Sequence, residues 1–372
     1  MDIPLFKVFM AESVTSTLGS VLQSGYVAQG QRVEEFEELL KDYTSTSLCT
    51  SVNAGTSALH LALHLIREQA GDRNTILTIP LTCTATNFPI LANGYDIRWV
   101  DTDPTTCNID IQDLRRKLGP DVAGIMVVHW GGTPCDLDAL KDVQDECERL
   151  YGYRPPIIED AAHAFGAQWD NKMLGNHGNY VMHSFQAIKH LTTGDGGVLI
   201  SPDYESHRRA KLLRWFGLDR EKSPDMRCEQ NVTEWGYKFH MNDINAAIGI
   251  ENFKSIKSVG RKYKDNGLLY DGCLEGVRGV TQLKRPPLAR SSYWIYTLRV
   301  ERRDDFVKKL QGAGVACSRV HDRNDKHACL SKYRAVLPGT DEVCADMICI
   351  PCGWWMGPED IDRVAGLISE GW

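Results

Sequence analysis

Residues 122–160, VAGIMVVHWGGTPCDLDALKDVQDECERLYGYRPPIIED, decide the fold. A β-branched run, Val122–His129, is followed by Leu137, Leu140, Val143 and Leu150 at helical spacing, then by a second apolar run, Pro156–Glu159. Apolar runs without polar alternation describe strands buried on both faces. Working outward, similar runs recur at Thr75–Ile79, Asp96–Val100, Tyr180–Phe185 and Val198–Ser201. Helical patterns recur at Val33, Phe36, Leu39, Leu40 and Tyr43, and at Leu59, Leu63 and Ile66. Together they predict an α/β fold, a large domain with a mainly parallel sheet flanked by helices. A long helix from Asp243, DINAAIGIENFKSIKSVGRKY, is expected to leave this core and open a smaller C-terminal α/β domain. That domain contains the strand-like YWIYTLRV and a final helix after Pro358, and the expected division is 1–250 and 251–372.

The composition narrows the function classes. The 372 residues carry 42 Lys and Arg against 49 Asp and Glu, a net charge of −7, and 42% of them are hydrophobic. Mild acidity without clustered basic residues argues against nucleic acid or an anionic membrane as partner. No stretch reaches the ~20 apolar residues of a membrane-spanning helix, and MDIPLFKVFMAES has no apolar signal core, so a cytoplasmic protein is expected. Twelve cysteines scattered over such a chain read as free thiols. Cys349-Ile-Pro-Cys352 has metal spacing but lacks a second ligand pair and reads as a strand end, so no metal is expected.

Three motifs carry chemistry. In Asn53-Ala-Gly-Thr-Ser57, just before a helix expected to start near Ala58, small residues and hydroxyls sit where backbone N–H groups can bind phosphate; the plainer reading is a helix cap by Thr56 or Ser57. In Ile157-Ile-Glu-Asp160-Ala-Ala-His163, a strand ends in carboxylates followed by small residues and an imidazole. Asp160 there can hold a protonated ring nitrogen, or simply cap the next helix, with His163 a satisfied buried histidine. In SFQAIKHLTTGDGG (184–197), Lys189 is the only lysine between Lys172 and Lys211 and has apolar and small neighbours. Such an amine forms Schiff bases when its pKa is lowered. A phosphate cradle, an acid for a ring nitrogen and a Schiff-base amine are what pyridoxal 5′-phosphate requires.

With these motifs the chain resembles the DegT/DnrJ/EryC1/StrS family of sugar aminotransferases, fold type I pyridoxal-phosphate enzymes related to aspartate aminotransferase. The likeness runs through SGYVAQGQRVEEFEELL, NAGTSALHLAL, VDTDPTTCNID, VVHWGGTPCDLDAL, EDAAHAFGA, SFQAIKHLTTGDGG, RWFGLDR, HMNDINAAIG and ICIPCGWWMGPEDI. It implies that Lys189 is the Schiff-base and proton-transfer residue, that Asp160 pairs with the pyridinium nitrogen and that His163 bonds the 3-hydroxyl. Ala162 would lie against the ring, with Ser184, Gly55, Thr56 and Ser57 on the phosphate. The family's aromatic on the cofactor ring is replaced here by Cys83. The Asn that reaches the phosphate from a second subunit is replaced by Lys238, with Asn242 a poorer candidate; this implies a homodimer with active sites at the subunit interface. Family dehydratases carry His in place of the lysine, so Lys189 favours transamination.

The implied reaction is a ping-pong transfer from L-glutamate to a keto-deoxysugar linked to dTDP, UDP or GDP. The alternatives are a free cyclitol or other cyclic ketone as acceptor, and a non-catalytic cofactor-binding protein. Arg214, Trp215, Arg220, His321, Arg323 and His327 are further candidates for carboxylate or diphosphate.

Overall fold

Alternate residues of the central strands enter two different apolar layers, which explains the unbroken apolar runs. Tyr180 and Met182 join one layer and Val181 the other; Leu199 joins the first, Val198 and Ile200 the second. The structure, a computed structural model, describes residues 2–222 and 224–372. The large sheet consists of Cys49–Val52 (β1), Thr75–Thr78 (β2), Asp96–Trp99 (β3), Val122–Val128 (β4), Ile157–Asp160 (β5), Tyr180–Ser184 (β6) and Gly197–Ile200 (β7). Their order is β1-β7-β6-β5-β4-β2-β3. Strands β3, β2, β4, β5 and β6 are parallel neighbours, as expected. Strand β7 runs antiparallel to both β6 and β1.

Three local expectations need correction. Strand β1 is absent from the expected strands: its four residues, Cys-Thr-Ser-Val, are short and half polar, yet all are buried between β7 and the helix Gln31–Thr44. The helix after Asn53 begins at Gly55 rather than near Ala58, because Ala54 (φ −160°, ψ 152°) is already its extended cap. The long helix from Asp243 is two helices, Asp243–Phe253 and Ile256–Cys273, and the first stays in the core. Ala246 and Ile250 share a layer with Val33, Phe36 and Leu40. The Asp243 carboxylate accepts the N–H of Gly30 (2.7 Å) and of Val33 (3.2 Å), capping the helix Gln31–Thr44 where Gly30 has no side chain to do so.

A second sheet, Val280–Gln282 (β8), Tyr296–Val300 (β9) and Met347–Ile350 (β10), is antiparallel in the order β8-β9-β10. The helix Pro358–Ser369 covers it through Ile361, Val364 and Ile368. Ile3 belongs to the same apolar cluster and bridges Val315, so the first residues of the chain pack with the last third. Cys349 lies in β10, as its reading as a strand end required, and its Sγ is 3.3 Å from Thr297 Oγ1; the Cys352 Sγ donates to the Tyr263 carbonyl. Among the described residues no helix is long and apolar enough to cross a membrane.

Candidate active site

A cavity of about 450 Å³ opens at the carboxyl ends of β4, β5 and β6, where parallel sheets collect ligands. A larger surface depression, about 630 Å³ around Arg299 to Asp305, holds none of the expected groups. The polar end of the cavity is the start of the helix Gly55–Leu65. Gly55 and Thr56 line it, with the first-turn N–H groups that a helix leaves without internal partners. Close packing fixes this start. A Cβ on Gly55 would stand 2.9 Å from Met182 Sδ and 3.0 Å from Ser184 Cβ, and one on Gly197 would stand 2.7 Å from Gly55 Cα. Ser184, ending β6, lines the same wall; its Oγ accepts the Gln186 N–H at 3.3 Å and keeps its own proton to give. Ser57 is not brought there. Its hydroxyl donates to Asn53 Oδ1 at 2.7 Å, outside the cavity wall.

Strand β5 delivers its two carboxylates to opposite faces, as the two-residue period requires. Glu159 is fully buried against His129 Nε2 (2.8 Å) and Asn179 Nδ2 (2.7 Å), and only Asp160 lines the cavity. Asp160 Oδ2 accepts from Thr86 Oγ1 (2.7 Å) and Oδ1 from the Ala162 N–H (3.0 Å); Thr82 Oγ1 lies 2.8 Å from Thr86 Oγ1. Burial pushes the pKa of Asp160 up, against the pull of these donors and of the nearby Lys189 charge. A cationic N–H donor would relieve that burial.

Lys189 lines the same cavity. Burial lowers its amine to about 8, with the charges of Asp160 and Cys83 acting in the opposite direction. At that value a substantial fraction is neutral near physiological pH and can act as a nucleophile or base. His163 and Cys83 are also in the wall, as are Ala162 and His321. Burial, then the Lys189 charge, holds His163 well below the usual imidazole range, so its ring is neutral.

Part of the wall was not named from the sequence. Leu5 and Phe6 reach in from the chain start, Ser318 and Val320 from beyond β9, and Trp294 from the segment preceding β9. In sequence, YWIYTLRV reads wholly as strand. The strand begins only at Tyr296, and Tyr293 adopts a positive φ of 53°, which puts Trp294 in the connection ahead of it.

Other candidates lie outside the cavity. Lys238 is exposed and does not line the cavity of its own chain, although its carbonyl accepts from Asn53 Nδ2 at 3.4 Å, just ahead of the Gly55 turn. Asn242 caps the helix Asp243–Phe253 by accepting the Asn245 N–H. Arg214 is buried in an ion pair with Glu37 and also bonds the Ser51 carbonyl at 2.8 Å. Arg220 lies over Trp215 and bonds the Gln29 carbonyl, and Arg323 is paired with Asp325 and Asp341; neither these residues nor His327 line the cavity.

The residues present fit pyridoxal 5′-phosphate. There is a helix start that can receive an anion, a buried carboxylate with no cationic N–H donor hydrogen-bonded to it among the described residues, and an amine of lowered pKa. In addition, His163 Nδ1 is buried without a hydrogen-bond partner among the described residues.

Comparison with known proteins gives the same direction. A sequence profile of the DegT/DnrJ/EryC1/StrS aminotransferase family matches residues 9–369. The structure is similar to that of AtS13 from Actinomadura melliaura, with a TM-score of 0.96 and 44% identity over 100% of this chain and 99% of that one. It is similar also to the sugar aminotransferase CalS13 from Micromonospora echinospora, with a TM-score of 0.95 and 41% identity over 100% of both chains. In sequence, the UDP-4-amino-4-deoxy-L-arabinose–oxoglutarate aminotransferase of Shewanella sediminis is 28% identical over 388 aligned positions, spanning 99% of this chain and 97% of that protein. A profile match running nearly end to end shows that the chain belongs to the DegT/DnrJ/EryC1/StrS aminotransferase family, enzymes of sugar biosynthesis whose cofactor is pyridoxal 5′-phosphate.

Proposed function

We propose that this protein transfers the amino group of L-glutamate to the keto carbon of a keto-deoxysugar linked to dTDP, UDP or GDP, in two half-reactions at one site. The observation that carries this reading is the presence of Lys189 and Asp160 in the wall of one cavity, close enough for each to influence the other's proton affinity. The names of relatives support the acceptor and the donor: one is a sugar aminotransferase, and another pairs a UDP-linked amino sugar with oxoglutarate, the keto acid of glutamate.

Bound pyridoxal phosphate supplies an aldehyde carbon that carries the amino group and a ring that draws electrons from the substrate carbon. Within this division of labour, the N–H groups of Gly55 and Thr56 and the hydroxyl of Ser184 bind the phosphate. Asp160 keeps a proton on the ring nitrogen, and neutral His163 hydrogen-bonds the ring hydroxyl. Lys189 Nζ would take the proton from the substrate carbon and return it to the cofactor's former aldehyde carbon on the other side of the transferred nitrogen, acting as base and then acid near its pKa of about 8. Ala162 and Cys83, in the cavity wall, would lie along the ring, and Phe6 and Val320 would exclude water.

The functional unit in this reading is a cytoplasmic homodimer, with Lys238 meeting the phosphate of a second copy as a point charge. Residues 1–250 carry the cofactor and 251–372 form the smaller domain.

The test is visible absorbance of the protein with pyridoxal phosphate, then with L-glutamate, on wild type and Lys189→Ala. A Lys189-dependent band that glutamate bleaches is the expected result. Bound cofactor without a glutamate half-reaction would leave a binding protein instead. Single turnovers with nucleotide-linked ketosugars and with free cyclic ketones then decide the acceptor; turnover of the free ketones alone overturns the nucleotide-linked substrate.

A further inference from the structure

Trp294 is 1% exposed and makes three contacts that bear on the reacting groups. Its Nε1 donates to the carbonyl of Ile188, the residue before Lys189, at 3.0 Å. Lys189 Nζ stands 3.9 Å from the centroid of its ring. The imidazole of His163 stacks on it with centroids 3.7 Å apart and planes 15° from parallel. Phe6 packs on the same indole at 4.9 Å. His163 Nδ1 has no hydrogen-bond partner among the described residues, and its further ring neighbours are His321, stacked parallel at 5.4 Å, and Trp130, edge-on at 6.1 Å. The tilt of the imidazole is therefore set by stacking.

We propose that Trp294 is a positioning residue of this site: one indole, tied to the Lys189 loop, holds the Lys189 amine and the His163 imidazole together in the orientation in which they meet the cofactor. This rests on the aminotransferase reading of Lys189 and His163 given above. Two physical effects follow. An ammonium over an indole face is favoured by the ring quadrupole, so Trp294 raises the proton affinity of Lys189 against the effect of burial. Stacking also removes rotation of the His163 ring, so its hydrogen bond to the cofactor is made without a further ordering cost.

The groups facing Lys189 are Asp160 at the end of β5, Cys83 ahead of the helix Thr84–Ala92, Asp195 in the loop after Lys189, and His163, His190 and His321. Burial pushes all three histidines low, to about 3 for His190 and about 4 for His321, so around neutral pH they add no charge. Asp160 first, then Cys83, oppose the effect of burial on the ammonium, and the indole adds to them.

The decisive measurement is the rate at which the Lys189-dependent visible band appears when pyridoxal phosphate is added to cofactor-free protein, as a function of pH. The neutral amine reacts, so the rate rises with pH, with a midpoint near 8 in wild type. Trp294→Leu lowers that midpoint by about one unit, and Trp294→Phe, which keeps a weaker face, by roughly a third of that. Trp294→Leu also weakens pyridoxal phosphate binding about tenfold, but less than about threefold in a His163→Ala background. An unshifted midpoint in both Trp294 variants, or equal binding losses in both backgrounds, overturns the proposal. If thermal melts show that Trp294→Leu does not fold, Trp294→Phe decides on the same two readouts. A wild-type protein without any Lys189-dependent band overturns the aminotransferase reading, and this proposal with it; loss of the Trp294 effects alone overturns only the latter.

Discussion

One part of the cavity wall, at the ends of β5 and β6 and in the loop that follows, carries Asp160, Ser184 and Lys189; another, drawn from chain segments far apart, carries Phe6, Trp294, Val320 and His321. The first holds groups that bear or move charge. The second holds aromatic and aliphatic surface and a histidine kept neutral by burial. An amine lowered to about 8 requires both, because the low-dielectric surroundings depress it while the carboxylate keeps it within reach of neutral pH. In the proposed reaction the chemistry falls to one wall, while the proton affinity of Lys189 depends on the two together.

The comparison breaks most sharply at Lys189. Lys189→Ala should lower single-turnover amine transfer by about 10⁴-fold while leaving the thermal melt of the protein intact; a residual rate within tenfold of wild type would take the chemistry away from this wall. Asp160→Asn keeps the shape and removes the charge, and should weaken pyridoxal phosphate binding by roughly 100-fold, read by equilibrium dialysis. On the other wall, Phe6→Ala should leave cofactor binding within about twofold and lower kcat/KM about tenfold by admitting water, measured with a saturated cofactor site. A large loss of cofactor there would erase the distinction between the walls. The smallest effect belongs to Ser57→Ala. Cofactor affinity should stay within about twofold and stability fall by about 1 kcal/mol, because its hydroxyl serves Asn53 and not the cavity.

How legible each wall was in the sequence follows from the same difference. Asp160, Ser184 and Lys189 stand at or just beyond strand ends, and an apolar run that stops at a polar residue is visible in a single sequence. Gly55 and Thr56 were visible as small residues ahead of an apolar helix. Ser57 read equally well, and only the turn of the helix, one residue further on, directs it to Asn53. Trp294 and Phe6 read as ordinary strand and terminal apolar residues. They meet although they stand near opposite ends of the chain, and nothing local encodes such a contact. Strand β1 escaped for a related reason: its polar Thr50 and Ser51 are buried by long-range partners, with the Ser51 N–H and hydroxyl donating to Glu37 and its carbonyl accepting from Arg214.

The reversed direction of β7 has a consequence for the reactive amine. Had β7 run parallel to β6, the chain between them would have had to travel back along the sheet, a crossover of a dozen residues or more that usually forms a helix. Running antiparallel, β7 pairs its first residue, Gly197, with the last residue of β6, Ser184, and the Phe185 N–H closes onto the Gly196 carbonyl at 2.9 Å. Lys189 therefore rides on a hoop fastened at both feet, and most of the chain entropy of bringing it to the cavity is already spent when the sheet forms.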